Sequence, residues 1–132
     1  MASLAVLADT TANWRPNRFA FAVLGCEHEL RFPAVKLLDY AAHQDQLYQN
    51  PNPFALATLA HLLTQATCQD MHARFAAKWK LVQLLYQRGW DKQQVIDLFS
   101  VLDWMMRLPE QLKRSLWHNI EVLEEQEKMR YV

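Results

Sequence analysis

The stretch from Gly89 to Pro109, GWDKQQVIDLFSVLDWMMRLP, constrains this chain more than any other, because both ends of a helix are written into it. Gly89 tolerates the left-handed conformation that closes a preceding helix. Asp91 is a good N-cap, and Gln94, three residues on, completes the pattern of a capping box. Trp90 and Val95 fall at the positions of a hydrophobic staple. Pro109 restricts Leu108 and supplies no N–H, so the helix stops there. Between these signals, Val95, Phe99, Leu102 and Met106 form one apolar stripe, and Leu98, Val101 and Met105 a second. Gln93, Asp97, Ser100, Asp103 and Arg107 leave only a narrow polar strip. A helix apolar on two faces is covered on both sides. The cover is either the core of its own domain or, for one face, another subunit.

At 132 residues the chain is long enough for one domain with a buried core. Its apolar residues, 52% of the total, are mostly Leu, Ala, Met and aromatics rather than Val and Ile, which favours helices. With only two glycines it is not a disordered chain. The formal net charge is zero, which argues against a uniformly basic nucleic-acid binder but leaves room for a local patch. Met1 to Ala8 lacks the basic lead-in and the length of a signal peptide, and no apolar run reaches membrane-spanning length. Cys26 and Cys68 are therefore expected as free thiols in a reducing cytoplasm.

In chain order, Ser3–Ala8 (SLAVLA) suits a short buried strand, and Asp9–Asn17 reads as a loop. Arg18–Leu24 alternates, with Phe19, Phe21 and Val23 on one side. Cys26–Phe32 alternates again, with Cys26, His28, Leu30 and Phe32 opposite Glu27, Glu29 and Arg31. Two alternating runs around Gly25 predict a hairpin with one solvated face and one covered face, placing His28 among apolar neighbours. From Val35 the period changes, and Val35–Gln49 mixes an extended piece with a helix. Asn50-Pro51-Asn52-Pro53 is a break, with Asn52 as N-cap and Pro53 in the first helical position. Pro53–Thr67 is apolar nearly all round. Gln69–Arg88 is amphipathic, with Arg74, Lys78 and Lys80 outward or sideways. Pro109–Lys128 is a last amphipathic helix on a stripe of Leu112, Leu116, Ile120 and Leu123, broadened by Trp117. Its acidic end opposes the helix dipole, so the last turn is expected to fray. The predicted fold is α+β but mostly α: a β-hairpin segment over 1–34, then a bundle of four to five helices over 35–132, together one domain.

Nuclease chemistry of the kind that uses an Asp and an (Asp/Glu)-x-Lys on adjacent strands to hold divalent ions finds only Asp9 and Glu27-His28-Glu29 here, with Glu29 where the lysine should be. That is a solvated strand face, not a catalytic motif. His61, Cys68 and His72 offer one helical ligand spacing without a fourth ligand, so no metal site is expected. No phosphate loop or nucleophile motif is present, so no cofactor and no enzymatic activity of the chain's own are expected. Residues 51–90 carry four basic groups, Arg74, Lys78, Lys80 and Arg88, against one acid. A basic helix can sit on phosphate, or it can face the acidic last helix of the same fold or of a second copy.

The runs ASLAVLAD (2–9), NWRP (13–16), FPAVKLLDY (32–40), NPFALATLAHL (52–62), KWKLVQLLYQRGW (78–90), the Gly89–Pro109 helix and EEQEKMRYV (124–132) resemble, in this order, the later part of PD-(D/E)XK nuclease-family putative transposases, the recombination-promoting nucleases. The resemblance implies that the metal and lysine motifs of such proteins lie upstream of the segment matching residue 2, so no catalytic residue carries over. It fits either a short natural product beginning at Met1 or an expression fragment. The expectation that follows is a bacterial-type, non-catalytic accessory domain in a DNA-recombination setting. It would act in oligomerisation, or in regulation of a full-length nuclease relative, with no membrane or small-molecule substrate as partner. The expected interface is Leu98, Val101, Leu102, Trp104, Met105, Leu116 and Trp117. The alternative is a nucleic-acid-binding module built on Arg74, Lys78, Lys80 and Arg88.

Overall fold

The computed structural model describes residues 1–130, with side chains as far as Glu127. Contacts divide the chain into two compact units, Met1–Asp45 and Gln46–Val132. The division falls later than the boundary at residue 34 that the change of period suggests.

In the first unit, β1 (Ala5–Leu7) pairs in parallel with β4 (Ala34–Lys36). β2 (Arg18–Val23) and β3 (Cys26–Arg31) form the antiparallel hairpin between them, with Phe19 opposite Leu30, Phe21 opposite His28 and Val23 opposite Cys26. Leu24 and Gly25 make its two-residue turn with φ of +51° and +76°, the doubly left-handed geometry that matches strand twist. A 3-10 segment over Leu37–His43 follows β4 and packs on β1, which is why the unit extends past residue 34. Leu7 and Lys36 are buried. Every residue of β2 and β3 is exposed on both faces, so the covered face expected for the hairpin is uncovered. The reason is that among the described residues no other element packs closely on the two-stranded hairpin. His28 is exposed too, and stacks on Phe21 with ring centroids 4.8 Å apart.

The second unit is helical. α1 (Gln44–Gln49) leads into it, and α2 (Pro53–Ala66) starts as its sequence predicts, with the Asn52 side chain accepting from the Phe54 N–H and Pro53 in the first turn. α3 (Met71–Gln87) is capped by Asp70, which accepts from the Ala73 N–H. Gly89 then turns the chain at φ +72°. α4 (Lys92–Met105) opens with the full capping box: Asp91 accepts from the Gln94 N–H at 2.9 Å, and the Gln94 side chain accepts from the Asp91 N–H at 3.3 Å. It ends at Met105, three residues before the position Pro109 restricts. α5 (Glu110–Arg130) runs helical two residues beyond Lys128, the bound read from the sequence. The α-helix is kept there although carboxylates crowd its second half.

The core is one cluster, with Leu56, Leu59 and Ala60 of α2, Leu81, Val82 and Leu85 of α3, Leu102 and Met106 of α4 and its end, and Leu116 and Ile120 of α5. α2 and α3 pack on each other and both pack on α4, while α5 packs chiefly on α3. Of the two stripes read on α4, the first is buried at Leu102 and Met106 and partly covered at Val95 and Phe99, while Leu98, Val101 and Met105 on the second are partly covered. The architecture is α+β and mostly α, with short strands first and five α-helices after them.

Candidate interaction surfaces

In the helical unit the basic side chains of α3 turn out to serve the fold. The Arg74 guanidinium donates to Thr67 Oγ1 at 3.2 Å, to the Thr64 carbonyl at 2.9 Å and to the Arg107 carbonyl at 3.3 Å. It thereby ties the C-terminal end of α2 to the end of α4. Lys78, expected outward or sideways, is instead 1% exposed, and its Nζ donates to Asp103 Oδ1 at 2.9 Å. Lys78 turns inward because Asp103, part of the polar strip of α4, faces α3. A buried ammonium is tolerable only with such a partner. Lys80 Nζ lies 4.3 Å from the centroid of the Tyr48 ring, a cation–π contact. Arg88 Nη1 donates to the Gln49 carbonyl at 3.3 Å, and its Nε is buried without a partner. Arg107 lies past the end of α4, where Met106 has left helical backbone, and its side chain makes no ion pair among the described residues.

The apolar residues read as an interface separate into two groups. Leu102 and Leu116 are in the core. Leu98, Val101 and Met105 are half-buried, with Leu98 and Met105 packed against that core. Trp104 is 69% exposed and Trp117 43%. Between α4 and α5 runs a groove with α3 as its floor. Its apolar part, about 200 Å³, is lined by Leu85, Tyr86, Val95, Ile96, Trp117 and Ile120. Phe99 and Ser100 line both this part and a larger polar part of about 510 Å³, where Lys78, Asp103, Trp104, Arg107 and Lys113 meet. Phe99 and Trp117 touch across it, with ring centroids 5.4 Å apart. At its far end the Tyr86 hydroxyl donates to Glu124 at 3.0 Å. Burial first, and then that carboxylate, push the phenol up to about 12. Ile96, 47% exposed, and Phe99 also belong to this surface, and nothing in the sequence marks them for it, since apolar positions on α4 are indistinguishable from core.

In the first unit, the apolar face of the hairpin, Phe19, Phe21, Val23 and Leu30, is open. Cys26 Sγ lies 3.3 Å from His28 Nε2 on the same face. Asp9, read as the nearest thing to a catalytic carboxylate, meets Lys36 rather than Glu27 or Glu29: Lys36 Nζ donates to Asp9 Oδ1 at 2.5 Å and to the Trp14 carbonyl at 2.8 Å. The hydrogen bond from Lys36 holds the Asp9 carboxyl below its ordinary value of 3.8. Arg15 pairs with both oxygens of Asp39 at 2.9 and 2.7 Å and lowers that carboxyl in the same way. Nothing local in the sequence signals either pair, because the partners lie more than twenty residues apart and meet only through the β1–β4 pairing. Two residues before Lys36 stands Ala34, where an (Asp/Glu)-x-Lys motif has a carboxylate. Glu29 binds Arg18 across the hairpin and Arg31 two residues along its own strand. Among the described residues no three His, Cys, Asp or Glu side chains gather as metal ligands, and Cys68 and His72 are exposed. No described helix is long and apolar enough to cross a membrane. No family model, curated protein or solved structure matches the chain.

Proposed function

We propose that the chain is a non-catalytic assembly module of a PD-(D/E)XK nuclease-like, transposase-related system, acting by self-association or by binding a full-length nuclease relative and altering its activity. One observation carries this reading: the hairpin presents Phe19, Phe21, Val23 and Leu30 on a single uncovered face. A contiguous apolar face of this kind marks a surface that another protein covers. The exposed indoles of Trp104 and Trp117 support the same reading in the helical unit. The family setting comes from the sequence resemblance alone.

Nucleic acid is the less favoured partner. Of the four basic residues expected to meet phosphate, Lys78 is buried, Arg74 is committed to α2 and the end of α4, Arg88 donates to a carbonyl, and Lys80 sits over a ring. The test is co-purification of the tagged chain with a full-length nuclease relative, with nuclease activity read in the presence and absence of the chain. Association that persists in high salt is expected, because apolar contact carries it. Failure to associate with the relative, together with a strictly monomeric chain, would sink the reading. Steeply salt-sensitive retention on DNA would favour the phosphate reading instead.

A further inference from the structure

We infer that Cys26 and His28 form one half of a zinc site, which a second copy of the hairpin completes with its own Cys26 and His28. This inference rests on the assembly reading above, and names both the partner and the ion that joins it.

Cys26 and His28 stand two apart on β3, so both project from one face of the hairpin. Sγ lies 3.3 Å from Nε2. At ordinary Zn–S and Zn–N lengths, a sulfur and a nitrogen on one tetrahedral zinc ion are about 3.5 Å apart, and the observed separation corresponds to an angle of about 100° at the metal. An ion can therefore bind both atoms after a small adjustment of the side chains, the thiol giving up its proton to water. The His28 ring already has its orientation fixed by a contact other than Cys26. It lies on Phe21 with ring centroids 4.8 Å apart and planes 12° from parallel. Both ligands are exposed, so an ion reaches them directly from solvent.

The chemistry of this face selects both the ion and the partner. Thiolate with imidazole suits zinc, whereas magnesium and calcium seek oxygen. The hairpin register sets Val23 opposite Cys26, Phe21 opposite His28 and Phe19 opposite Leu30 on this face, and leaves Glu27 and Glu29 on the other. No carboxylate of the hairpin is therefore at hand to complete the shell, and among the described residues no third His, Cys, Asp or Glu joins the pair. Structural zinc takes four ligands. Two copies related by a two-fold axis through the ion supply two sulfurs and two nitrogens, a set that zinc holds in a tetrahedron. The same axis brings two identical apolar faces together. Phe19, Phe21, Val23 and Leu30 of each copy, exposed in the single chain, then surround the ion and leave water. A partner without such a pair would cover the apolar side chains but leave the ion two ligands short.

The test is titration of the full chain, reduced and metal-free, with zinc and with cobalt(II) as its spectroscopic stand-in, followed by absorbance and by sedimentation. Wild type is expected to show the thiolate-to-cobalt charge-transfer band and the visible bands of a tetrahedral ion. They should saturate at one ion for every two chains, zinc should displace the cobalt, and either ion should convert monomer to dimer. Cys26→Ser and His28→Gln are each expected to lose the bands and the metal-dependent dimer while circular dichroism stays unchanged, because both side chains are exposed. Cys68→Ser, which removes the other thiol, is expected to keep both. Bands that survive Cys26→Ser or vanish with Cys68→Ser overturn the inference, as does saturation at one ion per chain without dimerisation. A dimer that forms equally in the presence of chelator overturns the zinc bridge and leaves the assembly reading standing. A chain that neither binds the ion nor associates overturns the bridge as well, and the co-purification test with a full-length relative then decides the assembly reading by itself.

Discussion

Lys78 and Asp103 show how much depends on a single buried charge. The ammonium is out of water, while the Asp103 side chain keeps 41% of its exposure. The two halves of the pair are therefore unequal. Asp103→Asn removes the countercharge and leaves the ammonium buried without it, a loss expected at about 2 kcal/mol once the partial exposure of Asp103 is allowed for. Lys78→Met replaces the ammonium by an apolar chain of similar shape and leaves a carboxylate that water can reach, so it should cost clearly less. Denaturant unfolding of the two variants decides the order, and an equal or reversed ranking would show that the pair is not held by desolvation of the lysine. Arg74 follows the same logic in a neutral setting. Its guanidinium satisfies carbonyls that helix ends leave unpaired, which a basic residue does in place of a cap.

At the scale of elements, the turn of the hairpin departs from what its geometry favours. Leu24 holds φ +51° with its side chain in solvent, where Asn or Gly is the usual occupant. Leu24→Asn is expected to stabilise the hairpin by about 0.5–1 kcal/mol and to remove an exposed apolar tip. Slower amide exchange along β2 and β3 would register it, and unchanged exchange would mean that the turn does not limit the hairpin. Helix ends, by contrast, were legible from the sequence because their signals are local: Asn52-Pro53 and Asp91 with Gln94 each act within four residues, and Gly89 needs only its own backbone freedom. The direction of Lys78 was not legible. It depends on which neighbour lies three helical turns of another element away, and amphipathic spacing alone ranks a lysine as solvent-facing. The hairpin failed for the complementary reason. Alternation predicts that one face is apolar, as Phe19, Phe21, Val23 and Leu30 show, but it does not say what covers that face. The same gap affected the interface residues, where apolar character could not separate Leu102 and Leu116 in the core from Trp104 and Trp117 at the surface.

On the scale of the whole molecule, the two units differ in what binds them. The helical unit rests on a single cluster of Leu, Val, Ala, Met and Ile side chains. The first unit has few buried apolar side chains and relies on Asp9 with Lys36 and on Arg15 with Asp39. Both carboxyls titrate below their ordinary value of 3.8 when folded. Their contribution is therefore present above that value and is lost as pH falls through the lower folded values. The first unit should loosen on acidification before the helical unit does, followed by nuclear magnetic resonance of β1 and β4 amides beside the helical ones. Lys36→Gln should move that loosening to higher pH, and an unmoved midpoint would remove the Asp9–Lys36 pair from the account.

The parallel pair β1–β4 has a further consequence for how such a chain can change over time. The connection between its strands is a hairpin rather than a helix, and that hairpin begins and ends at one point, where the Phe32 N–H meets the Asn17 carbonyl at 3.0 Å. Fourteen residues therefore leave and re-enter the unit through a single doorway. Their length, tip and exposed face can be rewritten, shortened or exchanged while Asp9, Lys36, Arg15 and Asp39 keep their partners. The part of the first unit best placed to acquire a new binding preference is thus the part whose alteration the rest of that unit tolerates most readily.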